Sequence, residues 1–250
     1  MCTLSFLPDR QGYLVAMNRD EQRTRVAATP PTAHPFGDQW HVYPQEPTGG
    51  TWIGASSSGN LFALLNWYSV DTRRLGSKQK SRGEIIPGLL PEQNADDAER
   101  ALSAMQLFGI HPFRLIGIFS NERQVREWRW DGQQLAQGLG DWVRAHWFSS
   151  SKSDQQAELQ RGDAFAQQWS EGATHGAEWL RSLHATHIPE PGPFSVCVHR
   201  DDAATVSYTE VSWQPDELRV TYQPGNPCQS KGSPSTVCVP VFGAPMAKLS

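Results

Sequence analysis

A cysteine occupies the second position of the chain, ahead of two apolar runs that are separated by a turn and followed by a polar cluster. Removal of the initiating methionine would leave Cys2 with a thiol and a free α-amine on one residue. The amine has a reference pKa of about 7.7–8.0 and the thiol of about 8.5, so the amine can accept the thiol proton near neutral pH. Cys2 is therefore a candidate nucleophile that carries its own base. The alternative is that Cys2 only packs at the start of a strand.

The polar cluster consists of Asn18, Arg19, Asp20 and Glu21. The turn at residues 8–12 predicts a hairpin that sets Cys2 across from Asn18 and Arg19. A neighbouring cation would favour the thiolate of Cys2, and the Asp20 carboxylate would hold the α-amine. Adjacent strand residues point to opposite faces, so Arg19 and Asp20 can both face Cys2 only if a bulge turns one of them. A solvated turn is the alternative interpretation of this cluster.

Polar groups further along the chain could complete such a site. Asn66 ends an apolar run, where its amide can bind an oxyanion or bond to the local backbone. Five cations then follow within one polar segment, namely Arg73, Arg74, Lys78, Lys80 and Arg82. They can rim a pocket for an anionic group such as a phosphate or a propionate, or they can belong to a solvated loop.

A metal site is a further possibility that the cysteines raise. Cys197 and His199 lie two apart on a predicted strand, so their side chains share a face. Together with Cys228 and Cys238 they would supply four ligands for zinc. Their spacing matches no standard zinc pattern, so we predict no metal from the sequence.

Composition limits the class of protein. The 250 residues fit one large domain, which we predict to span residues 1–250. The formal net charge of −4 gives no reason to expect binding to nucleic acid. No apolar run approaches membrane-spanning length, and the opening residues become charged too early for a secretory signal. Four cysteines favour a reducing, cytoplasmic setting over a disulfide scaffold, and the ten tryptophans indicate a large amphipathic pocket.

The elements that must position these residues alternate between strands and pairs of helices. Strands are predicted at 4–7, 13–17, 52–54, 61–67, 113–119, 124–130, 134–138, 194–199, 205–213 and 218–222. Helices are predicted from the capping box at residues 81–84, over 96–106, from a second capping box at 153–156 to about residue 171, and over 174–187. Residues 24–48 are rich in proline and predict a loop, as does the tail. Two packed sheets flanked by helix pairs would satisfy this order, which is an α+β architecture.

Several of these motifs together resemble the NRDE family, also called the transport-and-Golgi-organisation family. The resemblance is carried by Met1-Cys2-Thr3, Asn18-Arg19-Asp20-Glu21, the Gly-Gly-Thr-Trp-Ile-Gly of residues 49–54, Asn66 and Ser81-Arg82-Gly83, with later support from residues 195–199 and 205–209. It implies the N-terminal-nucleophile (Ntn) hydrolase fold, a four-layer αββα sandwich of two antiparallel sheets flanked by helices. The nearest enzymes would be the cysteine amidases that act on penicillin V and on bile-salt conjugates.

The resemblance implies that Cys2 is the nucleophile, Asp20 the carboxylate that orients the α-amine, and Asn66 an oxyanion ligand. Those amidases carry an arginine three residues before the aspartate, where this chain has Met17, and Arg19 stands two residues further on. Arg19 is the expected substitute for that arginine. The resemblance then implies an amidohydrolase of linear amides with Cys2, Arg19, Asp20 and Asn66 as catalytic residues. The expected ligand-binding residues are Asn18, Glu21, Trp52, Trp67, Arg82 and His199.

A second function remains open on the same resemblance. In this alternative the chain is catalytically silent and carries haem, acyl-CoA or another lipid in the same pocket. The tryptophans would line the cavity, the basic segment at 73–82 would meet propionates or phosphates, and a histidine or cysteine would ligate the iron. No cofactor is required for the amidase, and haem is the expected ligand of the carrier. The sequence predicts no oligomeric state.

Overall fold

The structure is a computed structural model that describes residues 1–72, 80–171, 175–188, 190–229 and 232–241. The strands of this part of the chain are β1 (Cys2–Pro8), β2 (Tyr13–Gln22), β3 (Thr29–Phe36), β4 (Gln39–Gln45), β5 (Ile53–Ser56), β6 (Asn60–Asn66), β7 (Phe113–Phe119), β8 (Gln124–Trp130), β9 (Leu135–Gly140), β10 (Ala145–Ser149), β11 (Ala203–Trp213), β12 (Glu217–Pro224) and β13 (Ser235–Pro240). The helices are α1 (Ile85–Leu89), α2 (Ala95–Ala104), α3 (Asp154–Glu171) and α4 (Ala177–His184), and a short 3-10 helix covers Pro227–Gln229.

These strands form two antiparallel sheets. One has six strands in the order β10-β1-β2-β11-β12-β13, and the other has seven in the order β3-β4-β5-β6-β7-β8-β9. The seven-stranded sheet is a meander, because every neighbour in space is also a neighbour in sequence. The six-stranded sheet joins both ends of the chain, so β1 lies between β2 and the much later β10. The predicted α+β class and the pair of sheets are confirmed.

The two sheets pack face to face, and helices cover their outer faces. Apolar side chains from both sheets fill the space between them, among them Leu4, Phe6, Leu61 and Ile116, all fully buried. Each such side chain stabilises the fold by about 1.5–3 kcal/mol relative to an exposed one. Helices α1 and α2 cover the seven-stranded sheet, and α3 and α4 cover the six-stranded one. In the described ranges, no helix has the length and apolar character needed to cross a membrane.

The proline-rich segment at residues 24–48 is not the loop that we predict from its composition. It contains β3 and β4, which pair from Thr32 opposite Tyr43 to Phe36 opposite Gln39. Three of the eight β3 residues are prolines, and β3 is an outer strand of its sheet. An edge strand tolerates prolines because one side of its backbone has no ladder partner. The register shifts between Thr29 and Thr32, where two of the prolines stand.

Other strand predictions are also corrected. The pattern does not predict β10, which is short, or β13, which lies in the supposed tail. Residues 194–199 are predicted as a strand, but they run through bends and make only an isolated bridge between His199 and Ala204. These residues are mostly apolar, and Val196, Cys197 and Val198 are fully buried, but the segment forms no regular ladder with the six-stranded sheet.

The two predicted capping boxes have different outcomes. Ser153 accepts the backbone N–H of Gln156 at 3.1 Å, so the start of α3 is confirmed. Ser81 instead accepts the N–H of Gly83, and α1 begins only after Glu84, which makes no side-chain cap. The S-x-x-E spacing alone therefore places that helix a turn too early.

A buried histidine joins the first strand to the helical layer. The Ser5 hydroxyl lies 2.7 Å from Nε2 of His184, at the end of α4, and the His184 ring is fully buried. Burial lowers the pKa of His184 to about 3, and Arg161 adds to the effect. The ring is therefore neutral in the folded protein, whereas an unfolded histidine takes up a proton near pH 6.5.

This difference makes stability depend on pH. The contribution of a neutral His184 is complete above about pH 6.5 and is lost as the pH falls towards 3, by up to about 1.4 kcal/mol per pH unit. Urea unfolding between pH 7 and pH 5 should show that His184→Gln has a smaller pH dependence than the wild type. An equal pH dependence for both proteins would contradict the assignment.

Candidate active site

The first residues of the chain are held by backbone hydrogen bonds on both sides. Cys2 pairs with Arg19 on β2 and with Ser149 on β10, as the predicted hairpin register requires for Arg19. The backbone N–H of Cys2 donates to the Ser149 hydroxyl at 2.9 Å. The amine of Met1 donates to the Asp20 carbonyl at 3.1 Å, and the Asp20 N–H donates back to the Met1 carbonyl at 3.0 Å. The backbone around Cys2 is therefore fixed.

The Cys2 thiol faces the space between the two sheets. Cys2 is 7 % exposed and belongs to the same apolar cluster as Leu4 and Trp52. Burial raises the pKa of the thiol, as does the Asp20 carboxylate, whereas the terminal amine and Arg19 lower it. Burial is the largest of these effects, so the thiol is protonated at neutral pH in the chain that retains Met1.

Met1 is packed into the protein and does not trail from it. Its residue is 8 % exposed, and its sulfur lies 3.1 Å from the Ser151 hydroxyl and 3.3 Å from the Arg200 guanidinium. Excision of Met1 would free this volume directly beside Cys2. It would also turn the Cys2 backbone nitrogen, already placed by Ser149, into the free α-amine.

Arg19 shares a face with Cys2, but its charge is taken up by other groups. Its guanidinium donates to Glu46 at 2.6 Å and to Glu21 at 3.5 Å. It also stacks over Trp52, with 4.5 Å between the guanidinium carbon and the ring centroid. Trp52 is buried beneath Arg19, so it supports the arginine side chain within the core.

Asp20 lies on the opposite face of β2, towards the helical layer. Its carboxylate accepts the Thr205 hydroxyl at 2.6 Å and lies 3.8 Å from the Arg161 guanidinium. Both charged side chains are fully buried. The strand alternation predicted from the sequence is therefore confirmed. The Asp20 carboxylate and the Cys2 thiol lie on opposite faces of the sheet, so Asp20 affects the thiol through its charge and through the backbone.

Arg161 is a site residue that the sequence reasoning missed. It extends from α3 to the start of β1, where it donates to the Thr3 hydroxyl at 2.8 Å and to the Cys2 carbonyl at 3.3 Å. The pKa of the Asp20 carboxyl is raised by burial, and the Arg161 charge opposes that shift. A single arginine on a polar helix carries no motif, so the sequence offers no signal for it.

Asn66 ends β6 and faces a small cavity. Its amide donates to the Tyr68 hydroxyl at 2.6 Å. The cavity has a volume of about 290 Å³ and is lined by Asn66, Trp67, Tyr68, Val70, Thr72, Arg82, His111 and Pro112. Burial raises the pKa of Tyr68, Asn66 and Arg82 lower it, and the Cys2 thiol and Glu21 raise it. The Cys2 thiol is therefore close enough to this cavity for its charge to affect Tyr68.

Two glycines in close contact position Arg82 beside this cavity. A Cβ on Gly50 would lie 2.5 Å from the Cα of Gly83, so neither position has room for a side chain. The Thr51 N–H donates to the Gly83 carbonyl at 3.1 Å across the same contact. Arg82 is held there by a 3.2 Å bond to the Pro112 carbonyl. The Gly-Gly-Thr and Ser-Arg-Gly motifs therefore meet in space to position a cation.

A second cavity borders the other side of Arg19. Its volume is about 300 Å³, and its lining includes Arg19, Glu21, Arg23, Arg25, Thr205 and Tyr222. Arg19, Arg23 and Arg25 line the cavity with Glu21, but Arg19 and Arg25 are also paired with Glu46, so most of the positive charge here is already neutralised. Glu21, predicted as a ligand-binding residue, lies at its edge beside Arg25.

Three predicted features lie elsewhere. Asn18 is fully buried, and its amide donates to the carbonyls of His184 and Val196, so it anchors the helical layer instead of facing a ligand. His199 contacts two cysteine sulfurs, at 3.6 Å for Cys197 and 3.2 Å for Cys228. Of the predicted basic segment, Arg73, Arg74 and Lys78 lie outside the described residues.

Comparison with known families decides the relationship. Residues 1–207 match the family described as Transport and Golgi organisation 2. The chain belongs to this family. A search of curated proteins finds no match. The expected relationship to the NRDE, or transport-and-Golgi-organisation, family is thereby confirmed.

Solved structures with the same fold include a penicillin V acylase and a conjugated bile acid hydrolase. Penicillin V acylase from Agrobacterium tumefaciens superposes with a TM-score of 0.57 at 14 % identity, over 96 % of this chain and 86 % of its own. The C2A mutant of conjugated bile acid hydrolase from Clostridium perfringens gives 0.53 at 9 % identity, over 95 % and 92 %. This member of the Transport and Golgi organisation 2 family therefore has the Ntn-hydrolase fold expected from its resemblance.

The buried pair of Asp20 and Arg161 should be important for stability. Arg161→Met leaves a buried carboxylate without its cation, and we expect a loss of about 3–5 kcal/mol in the free energy of unfolding, measured with urea. Adding Asp20→Asn should restore part of that loss. Arg219→Met is the matched control, because Arg219 pairs with Glu217 at the surface and should change stability by less than about 1 kcal/mol. Equal losses for Arg161→Met and Arg219→Met would contradict this role.

Proposed function

We propose that the protein is a cysteine amidohydrolase that cleaves a linear amide, with Cys2 as the nucleophile after removal of Met1. The observation that carries the proposal is the anchoring of the Cys2 backbone nitrogen between β2 and β10 in a fold shared with two amide hydrolases. In one of these neighbours residue 2 is also a cysteine, since the solved structure is its C2A mutant. A reducing compartment such as the cytoplasm would keep the thiol available.

The first chemical step is attack by sulfur on the amide carbonyl. The thiol proton passes to the Cys2 α-amine, which the Ser149 hydroxyl already contacts in its peptide form at 2.9 Å. The Asp20 carbonyl, now bonded to the Met1 amine, becomes free to accept a hydrogen bond from the new terminus. The C–S bond forms, the C–N bond breaks, and the α-amine returns the proton to the leaving amine.

Asn66 is the proposed ligand of the oxyanion that forms in this step. Arg114 pairs with Leu65, next to Asn66, and donates to the Phe148 carbonyl at 3.3 Å. Phe148 precedes Ser149, the pairing partner of Cys2, so this end of β6 lies on the same side of the molecule as Cys2. One amide hydrogen of Asn66 bonds to Tyr68, and the second is available for the oxyanion. Water then attacks the thioester with the α-amine as base, which releases the acid and regenerates the thiol.

Cations near the thiol would support its ionised form. Arg19 lowers the pKa of Cys2, although its charge is shared with Glu46. Arg82 also lies within the electrostatic range of the thiol, held by the contact between Gly50 and Gly83. We infer that these two arginines together replace the single arginine expected at position 17, where the chain has Met17.

Processing of Met1 should control the reactivity of Cys2. We expect intact mass spectrometry to show a chain that begins at Cys2, and iodoacetamide with peptide mapping to modify Cys2 rapidly. A chain with a non-cleavable N-terminal extension should lose this reactivity by at least about 100-fold, because the thiol stays buried and lacks its amine. The exposed Cys238 is the internal reference and should react equally in both proteins.

The hydrolytic activity is tested on the processed protein. Penicillin V, a conjugated bile acid and N-acyl amino acids serve as linear amide probes, with release of the amine as the readout. Cys2→Ala should abolish turnover, and Asn66→Ala should lower kcat by about 10²–10³-fold with little change in KM. Retention of Met1 in the active protein, or turnover in Cys2→Ala, would overturn the proposal.

A carrier function is the second candidate, and the cavity beside Asn66 favours it. Trp67, Tyr68 and the Arg82 cation line this cavity, and His111 adds an imidazole. Aromatic faces, a cation for a propionate and a nitrogen for iron are the groups that haem needs. An acyl thioester would use the same cation for its phosphates.

Haem titration distinguishes this candidate from the amidase. A carrier should shift the Soret band of haem at a ratio of one haem per chain, and the shift should persist in Cys2→Ala. His111→Ala should remove the shift, whereas His34→Ala on β3 should leave it unchanged. A shift that is equal in wild type and His111→Ala would contradict ligation in this cavity.

A further inference from the structure

Four potential metal ligands converge behind the six-stranded sheet. They are His187, Cys197, His199 and Cys228, and their ligand atoms all lie within 4.8 Å of one another. They come from three separate segments: the chain after α4, the bends before β11, and the 3-10 helix after β12. No sequence pattern links them, because the sequence places Cys228 far from the other three.

We propose that these four residues bind one Zn²⁺ ion in a structural, tetrahedral Cys₂His₂ site. Two thiolates and two imidazoles are a donor set typical of structural zinc, and two thiolates cancel the charge of the ion. Neutrality matters here because Cys197 is fully buried. The site is distinct from Cys2 and does not depend on the amidohydrolase proposal.

The distances fit a tetrahedron around a small ion. With metal–sulfur bonds of about 2.3 Å and metal–nitrogen bonds of about 2.0–2.1 Å, the sulfur–nitrogen edges of a tetrahedron are about 3.5–3.6 Å. Nε2 of His199 lies 3.6 Å from the Cys197 sulfur and 3.2 Å from the Cys228 sulfur. Only small side-chain movements are needed to place an ion among these atoms.

Hydrogen bonds alone account poorly for the cluster. Nε2 of His199 could carry one proton, yet two sulfurs approach it at hydrogen-bonding distance. Nε2 of His187 is buried and has no hydrogen-bond partner among the described residues. A buried nitrogen without a partner is unfavourable, and coordination to a metal would give it one.

The backbone around the cluster is already in place for such a site. The Cys197 N–H donates to the Thr186 carbonyl at 2.9 Å, which brings the residue before His187 against the cysteine segment. The Val198 N–H donates to the Thr205 hydroxyl at 2.8 Å, and Thr205 donates to Asp20. The ion would therefore hold in place a segment that forms only an isolated bridge with β11 among the described residues and that supports the Asp20 network.

The sequence-based prediction of no metal is revised accordingly. The zinc site that the sequence raises includes Cys238 as the fourth ligand, but Cys238 is exposed on β13 and is not in the cluster. His187 takes its place. A histidine after a helix gives no sequence signal of its own, so only the fold brings it to the cysteines.

Metal binding is tested on the wild-type chain, purified without a polyhistidine tag and kept reduced with a phosphine. We expect elemental analysis to find one zinc per chain. After removal of zinc with a chelator, Co²⁺ should give the intense visible bands of a tetrahedral site and a thiolate-to-cobalt charge-transfer band. Zinc affinity is then measured by competition with a chromophoric chelator.

Matched variants assign the ligands. Cys228→Ser and His187→Ala should each lower the zinc affinity by more than the roughly 10–100-fold that loss of an outer-shell partner causes. Cys238→Ser and His34→Ala should leave the affinity and the cobalt spectrum unchanged. Zinc should raise the melting temperature of the wild type and of the two controls, and circular dichroism checks that each variant is folded.

Three outcomes would overturn the proposal. The first is a reduced wild-type chain that takes up neither Zn²⁺ nor Co²⁺ stoichiometrically. The second is a disulfide between Cys197 and Cys228, found by non-reducing peptide mapping of protein purified under reducing conditions. The third is unchanged metal affinity in folded Cys228→Ser and His187→Ala. Because the first two use only the wild type, misfolding of a variant does not leave the question open.

Discussion

The pairing of β1 between β2 and β10 is the constraint on which the rest of the structure depends. It places the first residues of the chain in the middle of a sheet, where ends of chains are rarely found. Strand alternation then divides the side chains between two environments, with Cys2 towards the other sheet and Thr3 towards the helices. Every polar group near the terminus takes its position from this pairing.

The same alternation separates two networks of charge. Arg19 on the inner face is joined to Glu46 and stacked on Trp52, whereas Asp20 on the outer face is joined to Thr205 and Arg161. Both networks are attached to the backbone of β2, so a change in one network reaches the other through that strand. A buried carboxylate held by one hydroxyl and one guanidinium is costly to form, and such groups are retained where function or a unique conformation requires them.

Local signals in the sequence were enough to predict the opening hairpin, its register and most central strands. Apolar runs with strong turns between them, as at Pro8–Gly12, leave little choice of pairing. The class of fold followed from the order of elements, and the resemblance of the motifs supplied the layered architecture. Trp52 and Asn18 are predicted from the sequence to bind a ligand; in the structure both are buried, Trp52 beneath Arg19 and Asn18 against the carbonyls of His184 and Val196.

What the sequence could not supply are the contacts between residues distant in the chain. β10 is five residues long and carries no turn signal, yet its Ser149 faces Cys2. Arg161 and His187 stand in or after helices whose exposed faces are also polar, so nothing distinguishes an inward-pointing cation or imidazole. The prolines of β3 led to the wrong prediction of a loop, because composition alone does not distinguish an edge strand from a loop.

Those prolines have a consequence for how molecules of this protein meet one another. An open sheet edge offers unpaired backbone donors and acceptors that can recruit a strand from another molecule. On β3, Pro30, Pro31 and Pro35 have no N–H, so a docking strand would find fewer backbone hydrogen-bond donors. The missing donors make that flank of the seven-stranded sheet a poorer template for edge-to-edge pairing than a strand without prolines.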